Sequence, residues 1–386
     1  MGFKQSVSGW AQCNKFNTSY IDCPVVNKTE DTFRVVVHNP ASISLKTVRI
    51  AVPSAEWTAQ AWNQNKWEAV ESNIVCAGDY YYTGKAKTEL INSCYLSVAV
   101  NTSSYGMNLL QLNRTPKDVE PSMMEVGDAI ENSGVKLTFT GFNTNQSRIE
   151  FSHFDKRANK TEELEISLAA WTPHIAFNKF IDNGQLSGDY IFRPEINQFT
   201  PNPYSAINGY FTIMKGSVES QMTFYFNGTS DDGQDEKAII HVSIDSEMNT
   251  LKVVVDLDTL PLNNWSGYEA IVDFTVKNFT NEQTFYTDSN GLEMQKRILN
   301  YRPTWNLTET NYKLSLENVT ANYFPINSAI SMVDINQGTK FTVMNDRAQS
   351  GSALTEGGIQ FMQNRRIPAD DSRGMGEWVN ELDEFG

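Results

Sequence analysis

The stretch of this sequence best equipped for chemistry is QFMQNRRIPADDSRGMGE. It sets the guanidinium groups of Arg365 and Arg366 ahead of the carboxylates of Asp370 and Asp371, with Arg373 beyond them. Such a group can be an ion network that only stabilises the fold. Alternatively, the carboxylates hold an arginine so that it presents its donors to a hydroxyl-rich ligand. The residues alone leave both interpretations open.

Other patterns that carry chemistry are absent or weak. The four histidines stand far apart, without a partner at metal-ligand spacing, and are expected to be ordinary strand or loop residues. The sequence contains neither a Gly-X-Ser-X-Gly elbow nor a glycine loop for phosphate. The acidic stretch from Asp231 to Glu236 lacks the ligand spacing of a calcium loop, which favours a solvated hairpin loop. These patterns therefore give no positive sign of a catalytic residue or of a metal site.

A second polar stretch, FYTDSNGLEMQKR, sets Asp288, Ser289, Asn290 and Gly291 between two strand-like runs. Asn-Gly is the pair that most readily adopts the positive φ angles of a type I′ turn between twisted strands. The stretch therefore predicts a tight hairpin whose residues are structural.

The charge of the chain limits its partners. The 386 residues hold 31 Lys and Arg against 46 Asp and Glu, which gives a net charge of −15. That charge repels nucleic acid and anionic membrane, and it suits an acidic lumen or a neutral substrate. No apolar run approaches the roughly 20 residues that cross a bilayer. We therefore expect neither nucleic acid nor a membrane as a partner.

Several features predict passage through the secretory route. Eleven Asn-X-Ser/Thr motifs, more than the composition produces by chance, indicate N-glycosylation. The N-terminus has no apolar signal-peptide core, so we expect the natural start to be missing. In an oxidising lumen the simplest pairing of the four cysteines is Cys13 with Cys23 and Cys76 with Cys94. Free buried thiols are the alternative.

Strand patterns fill the chain. In VKLTFT, for example, Val135, Leu137 and Phe139 face one way while polar residues face the other. Helical periodicity over ten or more residues is absent, so the sequence predicts an all-β fold of antiparallel β-sandwich domains. The predicted parts are a small β domain (1–115), an acidic, proline-containing linker (116–128) and a large β-sandwich (129–386).

Seven stretches together resemble the C-terminal region of glycoside hydrolase family 38, the α-mannosidases, and the lysosomal type more closely than the Golgi type. In family order they are CNKFNTSYIDCP (13–24), SGDYIFRPE (187–195), FYTDSNGLEMQKR (285–297), YRPTW (301–305), ANYFPINS (321–328), NDRAQSGSAL (345–354) and NRRIPADDSRGMGE (364–377). The similarity is weak between about 30 and 130. Leu292 stands where the family usually has a basic residue.

The resemblance implies which residues of this chain meet a sugar. The family brings a Tyr and an Arg from its β domains to a zinc-bound sugar. On the motifs these correspond to Tyr190 and to one of Arg365 and Arg366. The two carboxylates and the arginine that follow in the same stretch would support that arginine. The CNKFNTSYIDCP landmark also supports a disulfide between Cys13 and Cys23.

The resemblance further implies a retaining mechanism whose reacting groups lie outside this chain. The family uses an Asp nucleophile and a carboxylic acid/base on an N-terminal barrel, where His and Asp residues hold zinc. The His-X-Asp-X-Gly-Trp signature of that barrel is nowhere in the 386 residues. We therefore expect the chain to be inactive alone and to join such a barrel in removing terminal α-mannose from glycans.

The expected place of such an enzyme is the lysosome, the vacuole or the outside of the cell. The missing barrel and the end of the chain at NELDEFG predict a partial gene model or a processed piece of a multi-chain enzyme. The alternative is a non-catalytic carbohydrate-binding or structural β-sandwich protein derived from the family.

Overall fold

The structure is a computed structural model of the chain. It describes residues 14–15, 21–22, 31–54, 56–76, 94–115, 128–174, 186–195, 198, 200–204, 208–229, 235–245, 250–257, 260, 267–304, 317–369 and 376–380. Within these residues, no helix has the length and apolar character that a membrane span requires.

Nearly all the regular structure is strand, which confirms the predicted all-β fold. The first nine strands are β1 (Asn14–Lys15), β2 (Ile21–Asp22), β3 (Thr32–His38), β4 (Leu45–Val52), β5 (Trp57–Asn63), β6 (Lys66–Ala69), β7 (Ser72–Cys76), β8 (Cys94–Thr102) and β9 (Met107–Arg114). They form the sheets β3-β9-β5-β6 and β4-β8-β7 and the pair β1-β2. Apolar side chains of the two larger sheets, Leu96 and Leu110 among them, meet in one cluster. These two sheets form a small sandwich.

The rest of the described chain, from residue 128 onward, is the large part of the molecule. Its elements are β10 (Ala129–Glu131), β11 (Val135–Asn143), β12 (Arg148–Asp155), β13 (Lys160–Trp171), β14 (Asn202–Pro203), β15 (Asn208–Met214), β16 (Glu219–Thr229), β17 (Asp235–Asp245), β18 (Lys252–Leu257), β19 (Tyr268–Val276), β20 (Thr284–Ser289), β21 (Glu293–Ile298), α1 (Glu317–Thr320), β22 (Phe324–Ile326), β23 (Ala329–Asp334), β24 (Thr339–Met344), β25 (Gln349–Ser352) and β26 (Gly358–Arg366). A 3-10 turn, Thr144–Gln146, joins β11 to β12.

A nine-stranded antiparallel sheet organises the large part. Its order is β10-β11-β12-β13-β19-β26-β25-β22, with β14 beside β13. Because side chains alternate along a strand, each strand serves both faces of the sheet. Ile166 and Leu168 of β13 join the main apolar core, together with side chains of the sheets β15-β16-β17-β18 and β21-β20-β23-β24. Trp171 of the same strand lies in a smaller cluster on the opposite face.

Polar side chains connect the small sandwich to the large part. The carboxylate of Glu219 on β16 accepts hydrogen bonds from Arg49 Nε at 2.8 Å and Ser97 Oγ at 2.6 Å. Asn73 Oδ1 accepts from the backbone N–H groups of Val218 and Glu219, both at 2.9 Å. Burial acts to raise the pKa of Glu219, and the hydrogen bonds and charge of Arg49 outweigh it and hold that pKa low. The outer face of β4-β8-β7 is therefore covered.

Two local predictions can be compared with the strands. Val135 and Leu137 are buried and Phe139 packs against the same core, as the alternation in VKLTFT predicted. The acidic stretch differs in part from the predicted loop, because Asp235 and Glu236 already lie in β17 and extend its pairing with β16. The rest of that stretch lies outside the described residues.

Other predictions fall on residues that the structure does not describe. The linker does so except for its last residue, and the domain boundaries therefore stay a prediction. Cys13 and Cys23 lie outside the described residues as well. Cys94 is disulfide-bonded. The register of β7 and β8 places Cys76 opposite it, so Cys76 is the expected partner.

Candidate functional site

The FYTDSNGLEMQKR stretch forms the predicted hairpin. Strands β20 and β21 pair in register up to Ser289 and Glu293. Asn290 and Gly291 adopt φ angles of 52° and 71°. The N–H of Leu292 donates to the carbonyl of Ser289 at 2.9 Å, which closes a type I′ turn. The prediction of a tight turn is confirmed.

Asp288, just before this turn, is a buried carboxylate held by backbone donors. Its Oδ1 accepts from the N–H groups of Asn327 at 2.8 Å, Ser328 at 2.9 Å and Ala329 at 3.1 Å. Its Oδ2 accepts from the N–H of Gly291 at 2.8 Å. Burial acts to raise the pKa of Asp288, but these four donors outweigh it and hold the pKa far below its usual range. The carboxylate ties the hairpin to the start of β23 and has a structural role.

The second predicted site lies on the loop 186–195, which carries Tyr190. Ser187 Oγ donates to the carbonyl of Arg193 at 2.6 Å, and the N–H of Arg193 donates back to that hydroxyl at 2.8 Å. The same carbonyl accepts from the N–H of His174 at 2.9 Å. Tyr190 lies at the tip of this anchored loop and is 67% exposed. A fixed loop therefore presents a phenol to the outside.

Arg365 of β26 holds the two sides of that tip together. Its Nη1 donates to the carbonyl of Gly188 at 2.8 Å, and its Nη2 lies 3.4 Å from the carbonyl of Ile191. Its Nε and Nη2 also donate to Oε2 of Glu269, at 2.8 and 2.7 Å. The structure thus brings Arg365 to the loop of Tyr190, with its guanidinium group engaged by protein acceptors.

Two carboxylates lie on this face of the sheet: Glu269 is buried and Asp273 is half-buried. Burial raises the pKa of Glu269 to about 7, against the opposing charge and hydrogen bond of Arg365. Burial also raises the pKa of Asp273, against hydrogen bonds from Gln360 at 2.8 Å and Thr275 at 3.1 Å. Both pKa values are raised, whereas the pKa of Asp288 at the hairpin is lowered.

An aromatic cluster supports the loop from below. Phe192 packs on Trp171 and Tyr323, with ring centroids 6.3 and 5.4 Å apart. Trp171 Nε1 donates to the hydroxyl of Tyr323 at 2.9 Å, and that hydroxyl donates to Gln360 Oε1 at 2.8 Å. Burial raises the pKa of Tyr323, so its hydroxyl stays a neutral donor. The loop therefore rests on an aromatic floor whose polar atoms are hydrogen-bonded.

Arg366 faces the other side of the nine-stranded sheet. Its Nε donates to Asn380 Oδ1 and its Nη1 to the carbonyl of Leu260, both at 2.6 Å. The register between β19 and β26 shifts by one residue at Gln363, which forms a bulge. Downstream of the bulge, Arg365 shares a face with Glu269. The two candidate arginines are therefore not brought to one site.

Sequence reasoning missed Glu269 and the aromatic floor. The run EAIVDFTV does contain a signal, because Glu269 and Asp273 stand four residues apart in an otherwise apolar strand. That spacing puts both carboxylates on one face of the sheet, where a polar partner is required. The predicted supporting residues Asp370, Asp371 and Arg373 lie outside the described residues.

The described part of the chain offers no metal site. It contains no group of three or more His, Cys, Asp or Glu side chains close enough to hold an ion. His174 illustrates why, because its Nδ1 lies 3.4 Å from a single carboxylate, that of Glu195. The described residues therefore do not fit the zinc that the family resemblance implies.

Comparison with known families gives the class of the protein. Residues 130–373 match the family described as "Glycosyl hydrolases family 38 C-terminal domain". The match covers more than half of the chain, begins at β10 and ends beyond β26. The chain therefore belongs to glycosyl hydrolase family 38, as the seven landmarks predicted.

Individual relatives carry α-mannosidase names. The chain is similar to lysosomal alpha-mannosidase of Dictyostelium discoideum, at 31% identity over 58% of this chain and 20% of that protein. It is similar to lysosomal alpha-mannosidase of Homo sapiens, at 33% identity over 96% of this chain and 34% of that protein. The alpha-mannosidase of Canavalia ensiformis is 26% identical over 97% of this chain and 37% of that protein. The chain thus spans between 20% and 37% of the length of these relatives.

Proposed function

We propose that this chain is the sugar-facing β region of an α-mannosidase that removes terminal α-mannose from glycans. The observation that carries the proposal is the exposed Tyr190, fixed at the tip of a loop by Arg365. Both residues belong to landmarks of the family to which the chain belongs. On the family resemblance, the reacting carboxylates and the zinc would come from a catalytic barrel.

Tyr190 suits the recognition of a mannose ring. Its hydroxyl can donate and accept at once, so it can pair with a sugar hydroxyl in either sense. Its loop is held by at least three hydrogen bonds and by an aromatic floor before any ligand arrives. Little conformational entropy is then lost when the sugar binds. We assign to Tyr190 the direct contact with substrate.

Arg365 is assigned a positioning role in the same site, and Arg366 none. The guanidinium group of Arg365 already donates to Glu269 and to the carbonyl of Gly188. Arg366 lies on the opposite face, where it joins Asn380 to Leu260. The motif left open which of the two arginines belongs to the sugar site, and these contacts favour Arg365.

The test uses the assembled enzyme, with the barrel present. Tyr190→Phe should lower kcat/KM by roughly 5- to 100-fold, because a lost hydrogen bond contributes about 1 to 3 kcal/mol, and should leave the melting temperature unchanged. Tyr105→Phe, which alters another highly exposed tyrosine on the small sandwich, is the matched control and should change neither. Wild-type kcat/KM in Tyr190→Phe would contradict the assignment. The chain without a barrel should show no turnover of an aryl α-mannoside and no stoichiometric zinc.

The proposed compartment is the lysosome, the vacuole or the secreted pool. The disulfide of Cys94 supports an oxidising lumen, as do the eleven acceptor motifs. Enzymatic deglycosylation of the protein made behind a signal peptide should lower its apparent mass by several glycans. Peptide mapping without reductant should recover Cys94 linked to Cys76, and Cys13 linked to Cys23. An unchanged mass together with free thiols would contradict a lumenal protein.

A further inference from the structure

Within the described residues, the small sandwich has one face that is hydrogen-bonded to the large part and one face, called here the open face, that is not. Arg49 and Ser97, on the outer side of β4-β8-β7, are hydrogen-bonded to Glu219 of the large part. Among the described residues, no side-chain hydrogen bond or ion pair links the outer side of β3-β9-β5-β6 to another sheet, and this side carries Trp62 at 44% exposure. The open face carries amide side chains and two indole rings that do not contribute to the core of the sandwich.

Amide side chains on the open face stand in rows. The register places Arg34 opposite Gln111, and Gln111 opposite Gln60. Arg34 Nε donates to Gln111 Oε1 at 3.2 Å, and Gln111 Nε2 donates to Asn113 Oδ1 at 3.1 Å. Asn113 Nδ2 in turn donates to Gln60 Oε1 at 3.3 Å. These bonds fix the orientation of the amides and leave donors on Arg34, Gln60 and Gln111 unused.

Two indole rings border the amide rows. Trp62 and Trp67, opposite each other on β5 and β6, lie edge to face with centroids 5.0 Å apart. The guanidinium group of Arg34 lies 5.4 Å from the ring of Trp67. The face thus combines a large apolar plate with directional donors and acceptors, which is the combination a small polar ligand requires for orientation.

The charge pattern selects the kind of ligand. Arg34 makes no ion pair within the described residues, and the amides beside it are neutral. Two ion pairs of the sheet, Lys66 with Glu68 and Arg114 with Glu56, lie towards its ends. A polyanion or polycation would find little complementary charge here, and the net charge of −15 repels polyanions further. A neutral ligand rich in hydroxyl groups is complementary.

We propose that the open face of β3-β9-β5-β6 binds a neutral oligosaccharide. One sugar ring stacks its C–H face on the indole of Trp62 or Trp67. The hydroxyl groups of that ring and of its neighbour pair with the unused donors of Arg34, Gln60 and Gln111. This site is separate from the loop of Tyr190 and does not depend on the proposed α-mannosidase activity.

The test measures binding of defined sugars to the whole chain made without N-glycans, so that the acceptor Asn113 on this face carries none. An oligomannose glycan, chitotetraose and cellotetraose serve as probes in isothermal titration and tryptophan fluorescence. At least one should bind saturably. Trp67→Ala and Gln111→Ala should each weaken that binding by about tenfold or more. Trp62→Ala replaces Trp67→Ala if the latter does not fold.

A matched control locates the binding. Trp378→Ala removes a tryptophan at the far end of the chain whose exposure, 50%, is close to the 44% of Trp62. This variant should bind as wild type does. The proposal is overturned if no probe binds at about 10 mM, a range where even weak millimolar sites saturate. It is also overturned if Trp62→Ala and Trp67→Ala both bind normally. A dimer in sedimentation that Trp67→Ala dissolves would overturn it too, because the face would then be an interface between copies.

Discussion

Two buried carboxylates in this protein are held by different kinds of partner. Asp288 at the β20-β21 hairpin accepts from four backbone N–H groups. Glu269 on the nine-stranded sheet pairs with the side chain of Arg365, which also holds the loop of Tyr190. Their pKa values move in opposite directions, downward for Asp288 and upward for Glu269.

The difference distinguishes a carboxylate that stabilises the fold from one that lies beside the proposed substrate-binding loop. Backbone donors surrounding Asp288 stabilise its charge at every working pH, so this carboxylate joins two parts of the sheet permanently. Glu269 has one charged side chain to compensate its burial, so its ionisation depends on that partner and on pH. Glu269, whose ionisation depends on pH, lies beside the loop that presents the exposed Tyr190. Shifted pKa values are common at functional sites, which agrees with the proposal that this loop contacts substrate.

The largest expected effect comes from breaking the ion pair. Arg365→Ala should lower the free energy of unfolding by about 3 to 5 kcal/mol, because it leaves a buried carboxylate unpaired and frees the loop. Denaturant unfolding near pH 7 measures this. Arg347→Ala, at an exposed pair with Asp346, is the control and should cost less than about 1 kcal/mol. A cost as small as that of the control would show that Arg365 does not hold the site.

Removing the hairpin carboxylate should cost somewhat less. Asp288→Ala should lower the free energy of unfolding by about 2 to 3 kcal/mol, because four backbone donors lose a charged acceptor. Leu292→Ala, two residues beyond Asn290 and 88% exposed, should change it by less than about 0.5 kcal/mol. If Asp288→Ala unfolds at the same denaturant concentration as wild type, the carboxylate is not the tie described here.

The opposite pKa shifts predict a pH dependence. The pKa of Glu269 is raised from 4.5 in the unfolded chain to about 7, so its stabilising contribution is present below pH 4.5 and is lost as the pH rises through about 7. Between about pH 5 and 7.5 the wild type should therefore lose about 1 to 2 kcal/mol that Glu269→Gln does not lose. Unfolding curves of both proteins at the two pH values test this. Equal losses would show that Glu269 is ionised throughout.

The smallest effect is expected at the exposed tyrosine. Tyr190→Phe should change the free energy of unfolding by less than about 0.5 kcal/mol, because the ring is 67% exposed and the loop is held by other groups. Differential scanning calorimetry is sufficient. A destabilisation above about 1 kcal/mol would mean that the hydroxyl has a structural partner. Tyr190 would then stabilise the fold, as Asp288 does, and its proposed role in substrate contact would lose support.

Sequence reasoning succeeded where the signal was local. The alternation at Val135 and Leu137 depends only on the two-residue period of a strand, and the Asn290-Gly291 turn depends only on which residues accept positive φ. The assignment of Tyr190 to substrate binding, which came from the landmark SGDYIF, stays a prediction. Glu269 was missed because a carboxylate in an apolar strand does not indicate which residue pairs with it. Its partner, Arg365, lies 96 residues further along the chain.

The sequence by itself determined the all-β class, the hairpin and the family, because strand period, turn chemistry and ordered motifs are local properties of the chain. It could not show which of Arg365 and Arg366 reaches the loop of Tyr190, because the two are adjacent and chemically identical. Their positions depend on the bulge at Gln363, which shifts the register of β26 against β19 by one residue. Because neighbouring side chains in a strand point to opposite faces, one inserted residue sends Arg365 to the loop of Tyr190 and Arg366 away from it.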